Sequence, residues 1–317
     1  MAIKLDNVPL ATKEPFLSNK ANTTRLIDKL TDAFLASNIN VIRCKDDADT
    51  KVVETALDLA ETRMVRVKAE DTDILVLLIS HHNKSTHHPV YFDCKKGCFN
   101  INDIAEALPA RQKKYLLVCH AFTGCDTTSG LSGHGKAKLL EVLCSGEVDD
   151  ALDVFSNPNA TKPEIQTSGE ALFKHIHHGS ESGDGTLAEL RFNRFNKQAK
   201  VGVIRPETLP PTSSAALQHS LRSYLQVQDW MQLRTMSLPV LEYGWKIEAG
   251  RHEPVTTSDP IAPENLIKLI CCNCTGECDN MRCSCRKNGL ACVAACGKCH
   301  GTSCLNGAMR NDDDNDL

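Results

Sequence analysis

From Asn22 to Ala36 the apolar residues Leu26, Ile27, Leu30, Phe34 and Leu35 recur at helical spacing, which predicts an amphipathic helix. Asn38 to Cys44 reads as a short strand. An acidic turn over residues 45–50 then opens a helix with Val52, Val53, Ala56, Leu57 and Ala60 on one face. Met64 to Lys68 alternates like a strand. The unbroken apolar run from Ile74 to Ile79 is expected to form a central strand buried on both faces. Strand, helix and strand in this order imply parallel pairing with right-handed crossovers.

Past a His-rich loop (His81, His82, His87, His88) the pattern predicts a strand over Val90 to Phe92 and a short helix from Asn102. A buried helix follows over Lys113 to Phe122, and another carries Ala137, Leu139, Leu140 and Leu143. Separate helices are expected at Gly169 to His178, Leu187 to Lys197 and Ser213 to Met231. Pro-, Ser- and Gly-rich stretches divide them, and Arg251 to Pro263, with three prolines, reads as a linker. Trp230, Tyr243 and Trp245 are expected to pack this helical segment. The His-rich loop together with Cys94 and Cys98 fits no common zinc spacing and reads as an exposed polar loop.

A length of 317 residues allows one or two domains with a hydrophobic core. The formal net charge of -4 supplies no global attraction to nucleic acid, so binding of that kind must come from a local patch. Residues 1–20 lack an apolar signal segment, and the Ile74–Ile79 run is far too short to cross a bilayer. The expectation is an intracellular chain without a membrane partner, in which thiols stay reduced. Nothing in the sequence fixes an oligomeric state.

Sixteen cysteines change the picture, because ten of them fall between Cys271 and Cys304. Thiolates are soft ligands suited to Zn²⁺, which takes four of them in a tetrahedron. The nine from Cys272 onward are Cys272, Cys274, Cys278, Cys283, Cys285, Cys292, Cys296, Cys299 and Cys304. Three zinc ions need about twelve bonds, so nine thiolates suffice when three of them bridge. Two separate four-cysteine sites, or His300 as a ligand, remain alternatives. A disulfide scaffold ranks third in a chain without a signal segment.

A second constellation consists of Asp47, Asp49, Asp71, Asp73 and Asp126, each at a turn where a strand should end or a helix begin. In an open α/β sheet such turns gather in a crevice, where Mg²⁺ or Mn²⁺ held by carboxylates can activate water for phosphodiester hydrolysis. For Asp47 and Asp49 an ordinary helix N-cap is an equal reading.

These segments resemble known families. Asp47-Ala-Asp49, Glu70-Asp-Thr-Asp73-Ile-Leu and Gly124-Cys-Asp126 are similar in order and spacing to motifs of the flap-endonuclease branch of PIN-like nucleases. Gly133-His-Gly135-Lys136 resembles the glycine-turned hairpin with which that branch grips DNA. The resemblance implies a PIN-like α/β domain over residues 20–150 with a parallel sheet, and the five aspartates as metal ligands. The family's further aspartates, one in a Val-Phe-Asp-Gly-like strand, have no counterpart here. The expected fold is therefore incomplete at its N-terminus, and cleavage is expected to be lost.

The nine-cysteine spacing, ending in Leu305-Asn306, resembles the CXC domain of tesmin-type chromatin proteins. That implies three zinc ions and DNA binding by residues 266–308, with Arg282, Arg286, Lys287 and Lys298 toward the phosphates and a nuclear location. Tesmin-type domains carry a Tyr where this chain has Arg282. Leu209-Pro-Pro-Thr-Ser, the segment from Leu221 to Trp230 and Leu241-Glu-Tyr-Gly-Trp245 further resemble uncharacterised, mobile-element-linked animal proteins that join such a nuclease-like domain to a CXC module. The expected organisation adds a helical connecting region at 151–250, a linker at 251–265 and an acidic tail at 309–317. The leading expectation is zinc binding with DNA or chromatin association. An active two-metal nuclease and a zinc-stabilised interaction scaffold stand as alternatives.

Overall fold

A computed structural model describes residues 16–44, 47–132, 136–178, 185–201, 205–233, 238–255, 257, 271–292 and 296–307. The chain divides into two compact units, Met1–Lys51 and Val52–Leu317. The first contains α1 (Lys20–Ala36), the helix that the Leu26–Leu35 spacing predicts. Asn19 caps it, its side-chain oxygen accepting from the backbone N–H groups of Ala21 and Asn22. No residue of α1 is buried. Asn38 adopts a left-handed φ of 56° just past the helix end. Residues 39–44 form no strand, because a strand exists only where a neighbouring chain takes up its backbone groups.

The second unit begins within α2 (Asp49–Ala60), whose Val53, Ala56, Leu57 and Ala60 are buried at the expected helical spacing. The strand β1 (Val65–Lys68) pairs in parallel with β2 (Val90–Cys94), Val65 opposite Val90. β2 turns back through Gly97 into the antiparallel β3 (Gly97–Asn100). The sheet is therefore small and mixed, with strand order β1-β2-β3.

The apolar run Ile74–Ile79 is not a strand. It lies in α3 (Thr72–His81), the helix that links the two parallel strands. Asp71 decides this: its carboxylate accepts from the backbone N–H of Asp73 at 2.9 Å and starts the helix. Ile74, Val76, Leu77, Leu78 and Ile79 are all buried. A helix enclosed on every side reads in sequence like a buried strand.

Helices follow in quick succession: α4 (Ile101–Ala107), α5 (Ala110–Thr123), α6 (Lys136–Leu143), α7 (Asp149–Ser156), α8 (Lys162–His178) and α9 (Leu187–Val201). The longest, α10 (Ser213–Gln232), packs against α8, α5 and α7. One hydrophobic core runs from Val53 to Trp230. At its centre Phe122 meets Phe155 edge-on at 5.5 Å and Phe173 at 4.8 Å between ring centroids. Arg251–Pro254, expected within a linker, instead forms β5, paired with β4 (Trp245–Glu248). Residues 256 and 258–265 of that expected linker lie outside the described residues, as does the whole of the expected acidic tail at 309–317.

α10 buries six polar side chains, and several are satisfied across the core. His219 Nε2 donates to the Phe122 carbonyl at 2.8 Å, and Gln228 Nε2 to that of Phe155 at 2.8 Å. The Thr127 hydroxyl donates to Gln226 Oε1 at 2.6 Å. Burial holds His219 neutral, its pKa pushed down to about 4 despite that hydrogen bond. The unfolded chain therefore binds this proton between about pH 6.5 and pH 4, where the fold does not. Stability is fully present above that window and falls as pH drops through it. Denaturant titrations should show a loss of about 2 kcal/mol from pH 7 to pH 5 that is absent in His219→Gln.

α8 packs tightly on α10 at Gly169. A Cβ built there would lie 1.8 Å from Ser220 Oγ, and Ser220 is wholly buried, its hydroxyl donating to the Ala216 carbonyl. Gly169→Ala is expected to cost about 1–3 kcal/mol through overpacking, outweighing the helical gain of alanine over glycine. A higher thermal midpoint for Gly169→Ala would show that the two helices can part without penalty.

Candidate metal centres

The described residues between 271 and 307 contain almost no regular structure. One helical turn, α11 (Ser284–Lys287), begins at Cys283. Backbone hydrogen bonds between distant loops knit the remainder: Gly297 N–H to the Cys272 carbonyl at 2.9 Å, Leu305 N–H to that of Glu277 at 2.8 Å. Asn306 Nδ2 donates to the Leu290 carbonyl at 2.8 Å and to the Cys292 sulfur at 3.4 Å. Cys278 and His300 take left-handed φ values of 54° and 46°, which turn the backbone around the sulfurs.

Seven cysteines, Cys272, Cys278, Cys283, Cys285, Cys292, Cys296 and Cys299, are buried together. Leu290 is the one described hydrocarbon side chain packed against them. The sulfurs of Cys278, Cys292 and Cys299 each lie 3.7 Å from that of Cys272. Cys283 to Cys292 measures 3.8 Å and Cys285 to Cys296 measures 3.6 Å. A zinc–sulfur bond of about 2.3 Å in a regular tetrahedron sets sulfur–sulfur edges of about 3.8 Å. A disulfide would need about 2.05 Å, and none of the described cysteines forms one.

Three sets of four thiols lie within reach of one ion each: Cys272, Cys278, Cys292 and Cys299; Cys272, Cys285, Cys292 and Cys296; and Cys272, Cys274, Cys278 and Cys283. Cys272 belongs to all three sets, Cys278 and Cys292 to two. Cys304 belongs to none of them but packs, partly buried, against the cluster. All nine predicted ligands therefore converge. Cys271 packs at the edge of the cluster, outside the four-thiol sets. The donor set fits zinc: soft, crowded, dry and spaced as tetrahedral edges.

Local electrostatics favour ionisation at two positions. The backbone N–H of Gly301 brings the Cys299 thiol down to about 6. Burial opposes ionisation of Cys283, yet the backbone N–H of Arg286 and the neighbouring thiols bring it to about 7. Burial pushes Cys272 the other way, up to about 11. Arg282, Arg286, Lys287 and Lys298 are all exposed around this buried sulfur.

The aspartates behave differently. Asp47 lies ahead of α2 and its carboxylate accepts from the Asp49 N–H at 3.3 Å, the capping role; Asp49 opens the helix. Asp71 caps α3. Asp73 is buried and its Oδ1 sits 2.7 Å from His120 Nε2 on α5. The ligand oxygens of Asp71 and Asp73 lie within 4.8 Å of each other, near enough for one divalent ion to touch both. Asp126 is exposed on the turn between Cys125 and Thr128. Among the described residues it joins no three-ligand group, and neither does Asp47. Asp71 and Asp73, expected beside a strand of a parallel sheet, thus stand at the start of a helix, α3, with their carboxylate oxygens still within reach of one ion.

Gly133 and Gly135 lie outside the described residues. Lys136, expected to grip DNA with them, starts α6 and places its Nζ 3.5 Å from His120 Nε2. The His120 ring also packs 5.7 Å from that of Trp230. His120, 47 positions from Asp73, gave no sequence signal of its own, since neither period nor motif joins them. The His-rich loop forms no three-ligand group among the described residues, although His82 is buried, with Nε2 on the His88 carbonyl.

Comparison with family models, with curated proteins and with solved structures returns no match to this chain. The resemblances therefore rest on the motifs themselves. Among the described residues no helix is long and apolar enough to cross a membrane.

Proposed function

We propose that this is a zinc-binding protein that associates with DNA in the nucleus through its C-terminal cysteine module. The observation that carries the reading is the convergence of eight thiols in three four-thiol sets that share Cys272, with Cys304 packed against them, in a module where Arg282, Arg286, Lys287 and Lys298 are exposed. Zinc bound there would fold the module and present the cations as a rigid surface. Nine thiolates and three Zn²⁺ sum to about -3, so the cations must first offset the cluster. The expected affinity for DNA is consequently modest and dominated by phosphate contacts.

Cleavage is not part of this reading. Asp73 is engaged by His120 and Asp71 caps a helix, which leaves a poor framework for the paired ions of a nuclease.

Native mass spectrometry of the full chain should give three zinc ions; two would support separate sites instead. DNA binding should weaken steeply with salt, and reversing the charges of Arg286 and Lys287 should flatten that dependence. Salt-independent or absent binding by the zinc-loaded chain would favour the interaction scaffold.

A further inference from the structure

Arg222 lies within α10 and is 8% exposed. Its Nη1 donates to the Gly244 carbonyl at 3.2 Å, and its guanidinium carbon stands 6.0 Å from the centroid of Trp245. No described carboxylate forms an ion pair with it. A guanidinium has five N–H donors in a fixed fork, and here one nitrogen has a protein acceptor. Among the described residues the hydrogen bond to Gly244 is the one shown for this guanidinium, and it is made by Nη1. Arg222 lines a cavity of about 400 Å³ together with Gln218, Ser129, Phe173, Leu209 and Val255.

Enclosing a cation without a counter-ion is costly, and burial pushes the Arg222 pKa below its ordinary value. We propose that this cavity binds a small organic monocarboxylate with an apolar body, its carboxylate received by the Nε–Nη2 edge of Arg222. That edge of the fork matches the two oxygens of a carboxylate. One guanidinium balances one negative charge. Exposed Glu207, which also lines the cavity, disfavours a phosphate dianion. Phe173, Leu209 and Val255 offer apolar wall to the rest of the ligand, and Gln218 and Ser129 supply polar contacts that would orient it. The volume lies within the range of about 300–1,000 Å³ usual for small-molecule sites.

Calorimetric titration of the full zinc-loaded chain with benzoate, benzamide and inorganic phosphate tests the assignment. Benzoate should bind at least about tenfold more tightly than either control. Arg222→Met, which keeps the side-chain length, should lose at least about tenfold in benzoate affinity while retaining the wild-type circular dichroism. Phosphate binding tighter than benzoate, no binding of benzoate at millimolar concentration, or undiminished binding by Arg222→Met would overturn the proposal. Should Arg222→Met fail to fold, the Nε–H resonance of Arg222 in the wild type decides: it should move on addition of benzoate and not of benzamide, and an unmoved resonance refutes the site.

Discussion

Stripping the metal with a strong chelator is expected to unfold residues 271–307 and leave the helical body's unfolding midpoint unchanged. The module has no hydrocarbon core to fall back on, since Leu290 is the one described apolar side chain against seven buried cysteines. Structural zinc contributes about 10–16 kcal/mol of apparent binding free energy per site, far beyond what one leucine and a few loop hydrogen bonds supply. The shared thiols sharpen the expectation. Cys272→Ser removes a ligand common to all three four-thiol sets, whereas Cys274→Ser removes a ligand of one. Metal content measured by native mass spectrometry should fall by more than one zinc in the first variant and by at most one in the second. Three zinc ions retained in Cys272→Ser would rule out a shared cluster. Readings of the helical signal before and after chelation separate loss of the module from loss of the body.

The cysteine module was legible because metal chemistry writes itself into spacing. Adjacent C-x-C pairs cannot bridge to themselves, and so many thiols in so short a span require a common ion. Helices whose apolar residues faced one side, such as α2, were legible for the same kind of reason: a period of 3.6 leaves a stripe. α3 had no stripe. Its core positions are buried all round, so the 3.6 period and the strand's period of two both vanish, leaving Asp71 as the discriminating residue. Asp71 caps α3, and that capping role is what separates the helix from the expected strand. The pairing of Asp73 with His120 and the burial of Arg222 beside Gly244 and Trp245 were beyond reach in the sequence. Both depend on helices distant along the chain meeting in the core, and no local pattern encodes that meeting.

Arg222 and His120 are connected through one element, and its anchor carries the second large expectation. Trp230→Ala should destabilise the helical body by about 3–5 kcal/mol. Trp230 is 2% exposed and heads the largest fully buried side chains of the core. Its backbone carbonyl receives His81 Nε2 at 2.9 Å, tying the last turn of α10 to the end of α3. Its ring lies against His120, which in turn holds Asp73. Removing the indole therefore opens a cavity at the point where α3, α5 and α10 converge, and loosens the imidazole that fixes the Asp73 carboxylate. Tyr243→Ala offers the comparison. That ring stacks on Tyr224 at 5.7 Å but is only partly buried, so its loss should cost about half as much or less. Urea unfolding of the two variants, followed by far-ultraviolet circular dichroism, checks the ranking. A cost below about 1.5 kcal/mol for Trp230→Ala would mean that the three helices do not depend on the indole for their packing. The Asp73–His120 pair would then be held by α3 and α5 alone.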